Sequence, residues 1–298
     1  MSIFASRGWT RPATMAALCA AALAGCTGFS GKAPLPRHAA LDAGSAPGEP
    51  SKLAGLVTQA DVLYFPSEDL VGSGRDSSIA LLQEMTRISG DSAVAWDSID
   101  GDQQPLFDHW RDSQTSTDEI LAQLNIAGTE RDRENCRAIL RVFGGTMRHV
   151  ALRCPDRILA QLRLASDADA SQNPEIPRGF TVAQNDFEMF GEQLPAARGV
   201  AEHDLRKLYR AYTVTEQFAA ECIVRYLNEH PEGKLLVFVH RRHLDTARGV
   251  PQFVAQKVKR RQIVLEPQPS RPDISASVAQ LGRSARQIID RSPASAVD

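Results

Sequence analysis

The chain has 298 residues, of which 43% are hydrophobic, and this is enough apolar material for one large domain or two smaller ones. It carries 34 basic and 36 acidic residues, a formal charge of -2, whereas a dedicated nucleic-acid-binding protein normally has a basic excess. Beyond the N-terminus no uninterrupted apolar run is long enough for a spanning helix, which excludes a multi-pass membrane protein. The composition therefore indicates a globular protein that does not bind nucleic acid.

The first 25 residues have the layout of an export signal. Arg7 and Arg11 form a positively charged segment, and an apolar stretch follows over residues 13–23. The stretch ends in Leu-Ala-Gly-Cys, which resembles the lipobox of bacterial lipoproteins. The resemblance implies that residues 1–25 are removed and that the Cys26 thiol carries diacylglycerol, whose acyl chains would anchor the protein in a lipid bilayer.

The residues after the lipobox indicate where the protein resides. Thr27 takes the place of the aspartate associated with inner-membrane retention, so we expect a lipid-anchored protein of the bacterial cell envelope, at the outer membrane. The alternative is an ordinary cleaved signal whose cysteine is incidental. Residues 26–50 are rich in Ala, Gly, Ser and Pro, which predicts a flexible tether.

Uncharged runs alternate with helical patterns over residues 51–267. The apolar runs predict strands over 60–65, 93–99, 149–154, 235–240 and 262–265. Apolar residues at helical spacing predict helices over 76–88, 106–124 (in two pieces), 131–143, 156–164, 202–228 and 251–258. This order favours an α/β domain with a parallel β-sheet flanked by helices. Residues 268–298 are polar and are predicted to form a disordered tail.

Ligands of parallel sheets bind beyond the carboxyl ends of the strands. The residues that follow the most apolar predicted strand are His240, Arg241, Arg242 and His243. The arginines favour an anionic ligand, because a guanidinium can hold a carboxylate through two hydrogen bonds. The histidines could instead bind a metal ion with a third ligand from Glu68, Asp69 or Asp245. The third interpretation is that these four residues form a basic loop that is exposed to solvent and binds no ligand.

Known catalytic motifs are missing from the sequence. It contains no nucleophile elbow, P-loop, dinucleotide-binding glycine fingerprint or HExxH motif, so no catalytic residue is assigned. Tyrosine is of interest because a phenolate can ligate ferric haem iron. Tyr212 lies with Leu208 and Tyr226 on an apolar stripe of the helix predicted over 202–228, where core packing is the default interpretation.

Three cysteines remain after removal of the signal. They are Cys136, Cys154 and Cys222. Export would place them where disulfides form, but their odd number leaves at least one unpaired in the monomer. Two alternatives remain open for these residues: a disulfide between Cys136 and Cys154, or buried free thiols.

Four stretches resemble the ChaN-like haem-binding lipoproteins of the Tiki/TraB-related group. They are Ala-Asp-Val-Leu-Tyr-Phe at 60–65, Asp-Gln-Gln-Pro at 102–105, the helical segment 210–219, and Val-Phe-Val-His-Arg-Arg-His at 237–243 followed by Gly-Val-Pro at 249–251. The family has a Gly-x-x-His turn before its Gly-Val-Pro. His243 matches the histidine of that turn, and His240 stands at its glycine.

The resemblance implies a parallel sheet flanked by helices, with a small helical subdomain, in a lipoprotein tied to iron acquisition. In one kind of member two subunits face each other, each supplies a tyrosine to one iron, and His and Lys contact the propionates of haem. For this chain it implies haem as the cofactor, a homodimer, and Tyr212 or Tyr64 as the iron ligand. Arg241, Arg242 or His243 would then meet the propionates.

The chain departs from the family pattern at two motifs. Family members usually carry Gly-Glu-x-His at the end of the first strand, where this chain has Pro-Ser-Glu-Asp at 66–69. The aspartate of the family's long helix corresponds to Thr215. Related metalloproteases use the histidine of the first motif for their metal, so its loss argues against a metal-dependent hydrolase.

Three hypotheses about function follow. The leading one is a membrane-anchored lipoprotein that binds haem or a related anionic ligand and serves iron uptake. The second is a non-catalytic structural or partner-binding envelope lipoprotein on the same scaffold. The third is a degenerate metal-dependent hydrolase that uses His240 and His243. Only the third is an enzyme, and we rank it last.

Overall fold

The computed structural model describes residues 37–41, 50–113, 115–164, 187–188, 190, 201–244 and 249–267. All of them belong to one unit, which starts at Leu35. Among these residues, no helix is both long enough and apolar enough to cross a membrane. The predicted signal peptide, Cys26, Asp245 and the predicted tail over 268–298 lie outside the described residues.

A parallel sheet forms the centre of the described structure. Its strands are β1 (Arg37–Leu41), β2 (Val62–Pro66), β3 (Ser92–Asp100), β4 (Arg148–Arg153), β5 (Lys234–Val239) and β6 (Gln262–Pro267). Their order across the sheet is β1-β6-β2-β5-β3-β4, and every neighbouring pair is parallel. The carboxyl ends of all these strands therefore share one edge of the sheet.

Helices cover both faces of the sheet. They are α1 (Pro50–Gln59), α2 (Ser73–Ile88), α3 (Gln104–Asp112), α4 (Thr117–Gln123), α5 (Glu130–Phe143), α6 (Asp156–Leu164), α7 (Glu202–Glu229) and α8 (Val250–Lys257). Successive strand residues point to opposite faces. Leu63 and Phe65 accordingly pack with the side chains of α1 to α5, while Val62 and Tyr64 pack with α7 and α8.

The predicted α/β class, with a parallel sheet flanked by helices, is confirmed. All the predicted strands are present, and the segment 106–124 forms two helices as expected. The second of them, α4, starts at a capping box in which the Ser116 hydroxyl accepts from the Glu119 N–H and the Glu119 carboxylate accepts from the Ser116 N–H. A smaller cluster of buried residues joins α6 to α7. Its buried members are Cys154, Ile158, Leu162 and Val214.

Two elements differ from the sequence-based expectation. β1 lies within the segment predicted to be a flexible tether, and it pairs with β6 from Arg37 opposite Ile263 to Leu41 opposite Pro267. Helix α1 begins at Pro50, where only the end of the tether was expected. The five residues of β1 have no distinctive apolar pattern, because their backbone hydrogen bonds come from β6 and not from local sequence.

The buried stripe of α7 is offset from the predicted one. Leu208 was expected in the core but is 45% exposed, whereas the adjacent Tyr209 is buried. Tyr209 packs edge-on against Phe187, with 5.7 Å between their ring centroids. The first half of α7 thus packs on neighbouring helical segments and not on the sheet, which changes the side of the helix that is covered. The three cysteines Cys136, Cys154 and Cys222 are free and buried.

Candidate functional site

A cavity of about 380 Å³ lies at the carboxyl ends of β3, β4 and β5. Its apolar wall includes Trp96 and Phe238, whose ring centroids are 4.9 Å apart. Its polar lining includes Asp97, Asp132, Arg153, His240, Arg242 and His243. Ligands of open α/β sheets bind at this edge, and three of the predicted site residues meet there.

The turn directly after β5 is held by carboxylates from neighbouring strand ends. It comprises His240, Arg241, Arg242 and His243. The His240 N–H donates to Asp97 at 2.5 Å, and the Arg241 N–H donates to both carboxylate oxygens of Glu68 at 3.0 and 2.9 Å. Glu68 was a candidate third metal ligand. Here it satisfies the backbone of the turn instead.

The two arginines of the turn have different partners. The Arg241 guanidinium forms an ion pair with Asp69, which compensates its charge. Arg242 is exposed, and its Nε–H donates to His243 Nε2 at 3.1 Å. No carboxylate in the described part of the chain pairs with Arg242. Arg242 is therefore the guanidinium that an anionic ligand in this cavity can reach.

His243 is buried, and both of its ring nitrogens are engaged. Because Nε2 accepts the Arg242 hydrogen bond, Nδ1 must carry the proton, which it donates to the Glu216 carboxylate. Glu216 is fully buried in α7; burial raises the pKa of its carboxyl, and hydrogen bonds from His243 and Tyr212 act in the opposite sense. With its Nε2 lone pair occupied, His243 is not arranged as a general base.

One ring nitrogen of His240 has protein partners, and the other has none among the described residues. Its Nδ1 lies 2.6 Å from Glu68 Oε1 and accepts from the Arg242 backbone N–H at 3.4 Å. Burial lowers the pKa of His240, so the imidazole is neutral at pH 7. Both contacts are made by Nδ1, so Nε2 is the ring nitrogen left for a metal centre. Close by, burial raises the pKa of Asp97 to about 6.

The two tyrosine candidates lie in different places. Tyr64 is fully buried in β2, far from water, and its hydroxyl donates to Gln262 Oε1 at 2.6 Å. Burial raises the pKa of Tyr64 well above its usual value, which disfavours the phenolate. Tyr64 is therefore a core residue and is no longer a candidate iron ligand. Tyr212 is half-buried, and its ring stacks on His243 with 6.1 Å between centroids. It stands next to the cavity wall but does not line the cavity.

Sequence reasoning missed Glu216 and Asp97. The acidic position of the long helix was assigned to Thr215, whose hydroxyl donates to the Ala211 carbonyl at 2.9 Å, while the neighbouring Glu216 contacts His243. The i, i+4 spacing from Tyr212 was the available signal for Glu216. For Asp97, the available signal was its place as an acidic residue near the carboxyl end of a predicted strand. No group of three or more His, Cys, Asp or Glu side chains among the described residues is arranged to hold a metal ion.

Comparison with known proteins agrees with this architecture. A family model described as "Haem-binding uptake, Tiki superfamily, ChaN" matches residues 53–254, more than half of the chain. The chain belongs to this family. The resemblance inferred from the sequence is thereby confirmed. A search among curated proteins found no match.

Two solved structures match the chain. One, titled "Cofacial heme binding to ChaN of Campylobacter jejuni", has a TM-score of 0.54 at 13% identity and covers 72% of this chain and 83% of that chain. The other is an erythromycin esterase mutant, EreC in its open conformation, with a TM-score of 0.41 at 13% identity, covering 72% of this chain and 71% of that one. At this identity the likeness to ChaN shows the fold.

Proposed function

We propose that this protein binds haem in the cavity at the carboxyl ends of β3, β4 and β5. The observation that carries the proposal is the division of that cavity into an apolar wall with Trp96 and Phe238 and a polar side with an exposed Arg242 that forms no ion pair among the described residues. Haem has the same division, because its apolar ring ends in two propionates. Membership of a haem-binding uptake family supports the choice of ligand.

His240 is the side chain that would hold the iron. It lines the cavity, its Nδ1 is engaged by Glu68, and its Nε2 is left for coordination. Tyr212 is the second candidate, since it is the one tyrosine of the chain that is not buried. It would have to reach the iron past His243, on which its ring stacks.

We further propose that the protein is exported and anchored by acylated Cys26 in the bacterial cell envelope, at the outer membrane, where it serves iron uptake. The lipobox-like Leu-Ala-Gly-Cys and the family description support this role. A homodimer with haem between its subunits is part of the proposal. Cofacial haem binding in the ChaN structure supports that arrangement, and the stoichiometry of haem binding tests it.

A visible-absorption titration of the purified protein with hemin tests the function. We expect a saturable Soret shift that is lost in His240→Ala. Arg242→Ala should weaken hemin binding about 10- to 150-fold, because a charge-assisted hydrogen bond to a propionate contributes about 1.5–3 kcal/mol. Arg241→Ala is the matched control in the same turn, and it should change affinity little because its guanidinium is paired with Asp69.

Two other outcomes of the titration would change the assignment of the iron ligand or refute haem binding. Loss of the Soret shift in Tyr212→Phe, with His240→Ala unaffected, would assign the iron to Tyr212. No spectral change in a protein that is folded by circular dichroism would refute haem binding. It would favour the non-catalytic, partner-binding lipoprotein on the same scaffold.

A further inference from the structure

A second cavity, of about 260 Å³, lies toward the opposite end of β4. Arg148 and Val150 of β4 line it, whereas Leu152 and Arg153 of the same strand line the first cavity. Apolar and aromatic side chains from three elements also line it: Phe107, Val150, Cys222 and Tyr226. The cavity shares no lining residue with the site proposed for haem.

Arginines from three separate elements meet at this second cavity. Arg111 comes from the last turn of α3, Arg148 from the start of β4, and Arg225 from α7. Arg111 pairs with Asp112 at 2.8 Å, and Arg148 is 3.2 Å from Asp91. Two of the three guanidiniums thus have carboxylate partners.

Arg225 differs from the other two arginines. It is exposed, and its guanidinium hydrogen bond goes to the Cys222 sulfur at 3.4 Å. Burial raises the pKa of the Cys222 thiol, so this partner is neutral at pH 7. In the described residues no carboxylate pairs with Arg225, and its positive charge is therefore available to a ligand.

His230 adds an oriented imidazole to the same cavity. Its Nδ1 is 2.7 Å from Asp91 Oδ2, and its ring packs on Tyr226 with 4.7 Å between centroids. The Tyr226 hydroxyl in turn donates to the Asp91 carbonyl at 3.1 Å. These contacts fix the ring and leave Nε2 as its second polar atom.

Two carboxylates face the arginines in the cavity lining. Asp108 accepts from the Gln104 side-chain amide at 3.1 Å, and Glu229 lies at the end of α7. Both are exposed, so water and salt screen them. Arg111 and Arg148 are already paired with Asp112 and Asp91, so Arg225 carries the positive charge that is left for a ligand. Pairs of guanidinium N–H groups match the oxygens of a phosphate.

We infer that this cavity binds a phosphomonoester. Arg225, with Arg148 and Arg111, would hold the phosphate oxygens, and the organic group would pack on Phe107 and Tyr226. A ligand with a phosphate and an organic group fits the lining better than a free oxyanion does. A free oxyanion would leave the apolar side chains of the cavity without a packing partner. The inference concerns binding alone and does not depend on haem.

Calorimetric titration of the full protein at low salt tests the inference, with inorganic phosphate and phenyl phosphate as probes. We expect saturable binding that is tighter for phenyl phosphate, and a shift of the His230 ring resonances in NMR spectra. Arg225→Gln should weaken phenyl phosphate binding about tenfold, because one charge-assisted hydrogen bond is lost. Arg87→Gln removes an exposed arginine of α2 that pairs with Glu84, and it should leave the affinity unchanged.

Three results would overturn the inference. They are the absence of saturation, an equal loss in Arg225→Gln and Arg87→Gln, and equal affinity for the two probes. Arg225 is exposed and lies outside the Asp91 contacts, so we expect its variant to fold. Arg111→Gln provides a second variant, with a smaller expected loss of phenyl phosphate binding because Arg111 is paired with Asp112. Neither variant should change the hemin titration.

Discussion

At the residue scale, His149 shows how a titratable side chain becomes part of a core. Its ring packs against both Phe107 and Trp110, with centroid distances of 5.1 and 5.5 Å. Its Nδ1 accepts from Trp96 Nε1 at 3.3 Å, and its Nε2–H donates to the Gly144 carbonyl at 2.9 Å. Both nitrogens are satisfied in the neutral form, and burial lowers the pKa of His149 to about 4.

Protonation of His149 should therefore destabilise the protein in acid. The unfolded chain takes up this proton near pH 6.5 but the folded one only near pH 4, so stability is unaffected above pH 6.5 and falls between these values. The loss amounts to about 3 kcal/mol when complete. Urea unfolding across this range should show a shallower decline in His149→Asn than in wild type. His109→Asn, at an exposed site on α3, should keep the wild-type slope, and equal slopes in all three proteins would contradict the assignment.

At the scale of elements, the edge strand β4 is closed by a side chain. The Gln104 amide donates to the His149 carbonyl at 3.0 Å and accepts from the Ala151 N–H at 2.8 Å. One side-chain amide thus occupies the place of the peptide of a further strand. This contact also joins the start of α3 to the sheet, and it removes part of an edge on which another chain could pair.

Gln104→Ala should lower the free energy of unfolding by about 1–3 kcal/mol, because it leaves a carbonyl and an N–H of β4 without their partner. Urea denaturation measures the change, and light scattering would report self-association through the opened edge. Gln83→Ala, at an exposed position of α2, is the control and should be neutral. An equal effect of the two substitutions would show that the Gln104 contact adds nothing to stability.

At the scale of the whole molecule, the pairing of β1 would shorten the proposed connection between lipid and domain. If Cys26 carries the anchor, the sheet begins at Arg37, so a fully extended connection reaches about 40 Å. The predicted tether over residues 26–50 would have allowed a longer reach. The domain would thus be held close to the bilayer, with the edge of the sheet that carries β1 joined to the anchor.

Lipidation of Cys26 is tested by detergent-phase partition of the protein expressed in a bacterial host. The wild type should enter the detergent phase and incorporate labelled palmitate, because its acyl chains bind the micelle. Cys26→Ser should remain in the aqueous phase. Cys19→Ser changes a cysteine within the predicted signal and should behave like wild type. Recovery of the wild type in the aqueous phase without label would refute the anchor.

The amino-acid sequence alone determined the α/β class and the order of most elements, because continuous apolar runs and helical spacing are local properties of the chain. It also placed the residues from His240 to His243 at a strand end. Only the tertiary structure decided that Arg241 is paired with Asp69, 172 positions away, and that Glu216 meets His243, 27 positions away. Partner choice, burial of Tyr64 and pairing of β1 depend on which segments pack together, and local sequence does not encode those distant neighbours.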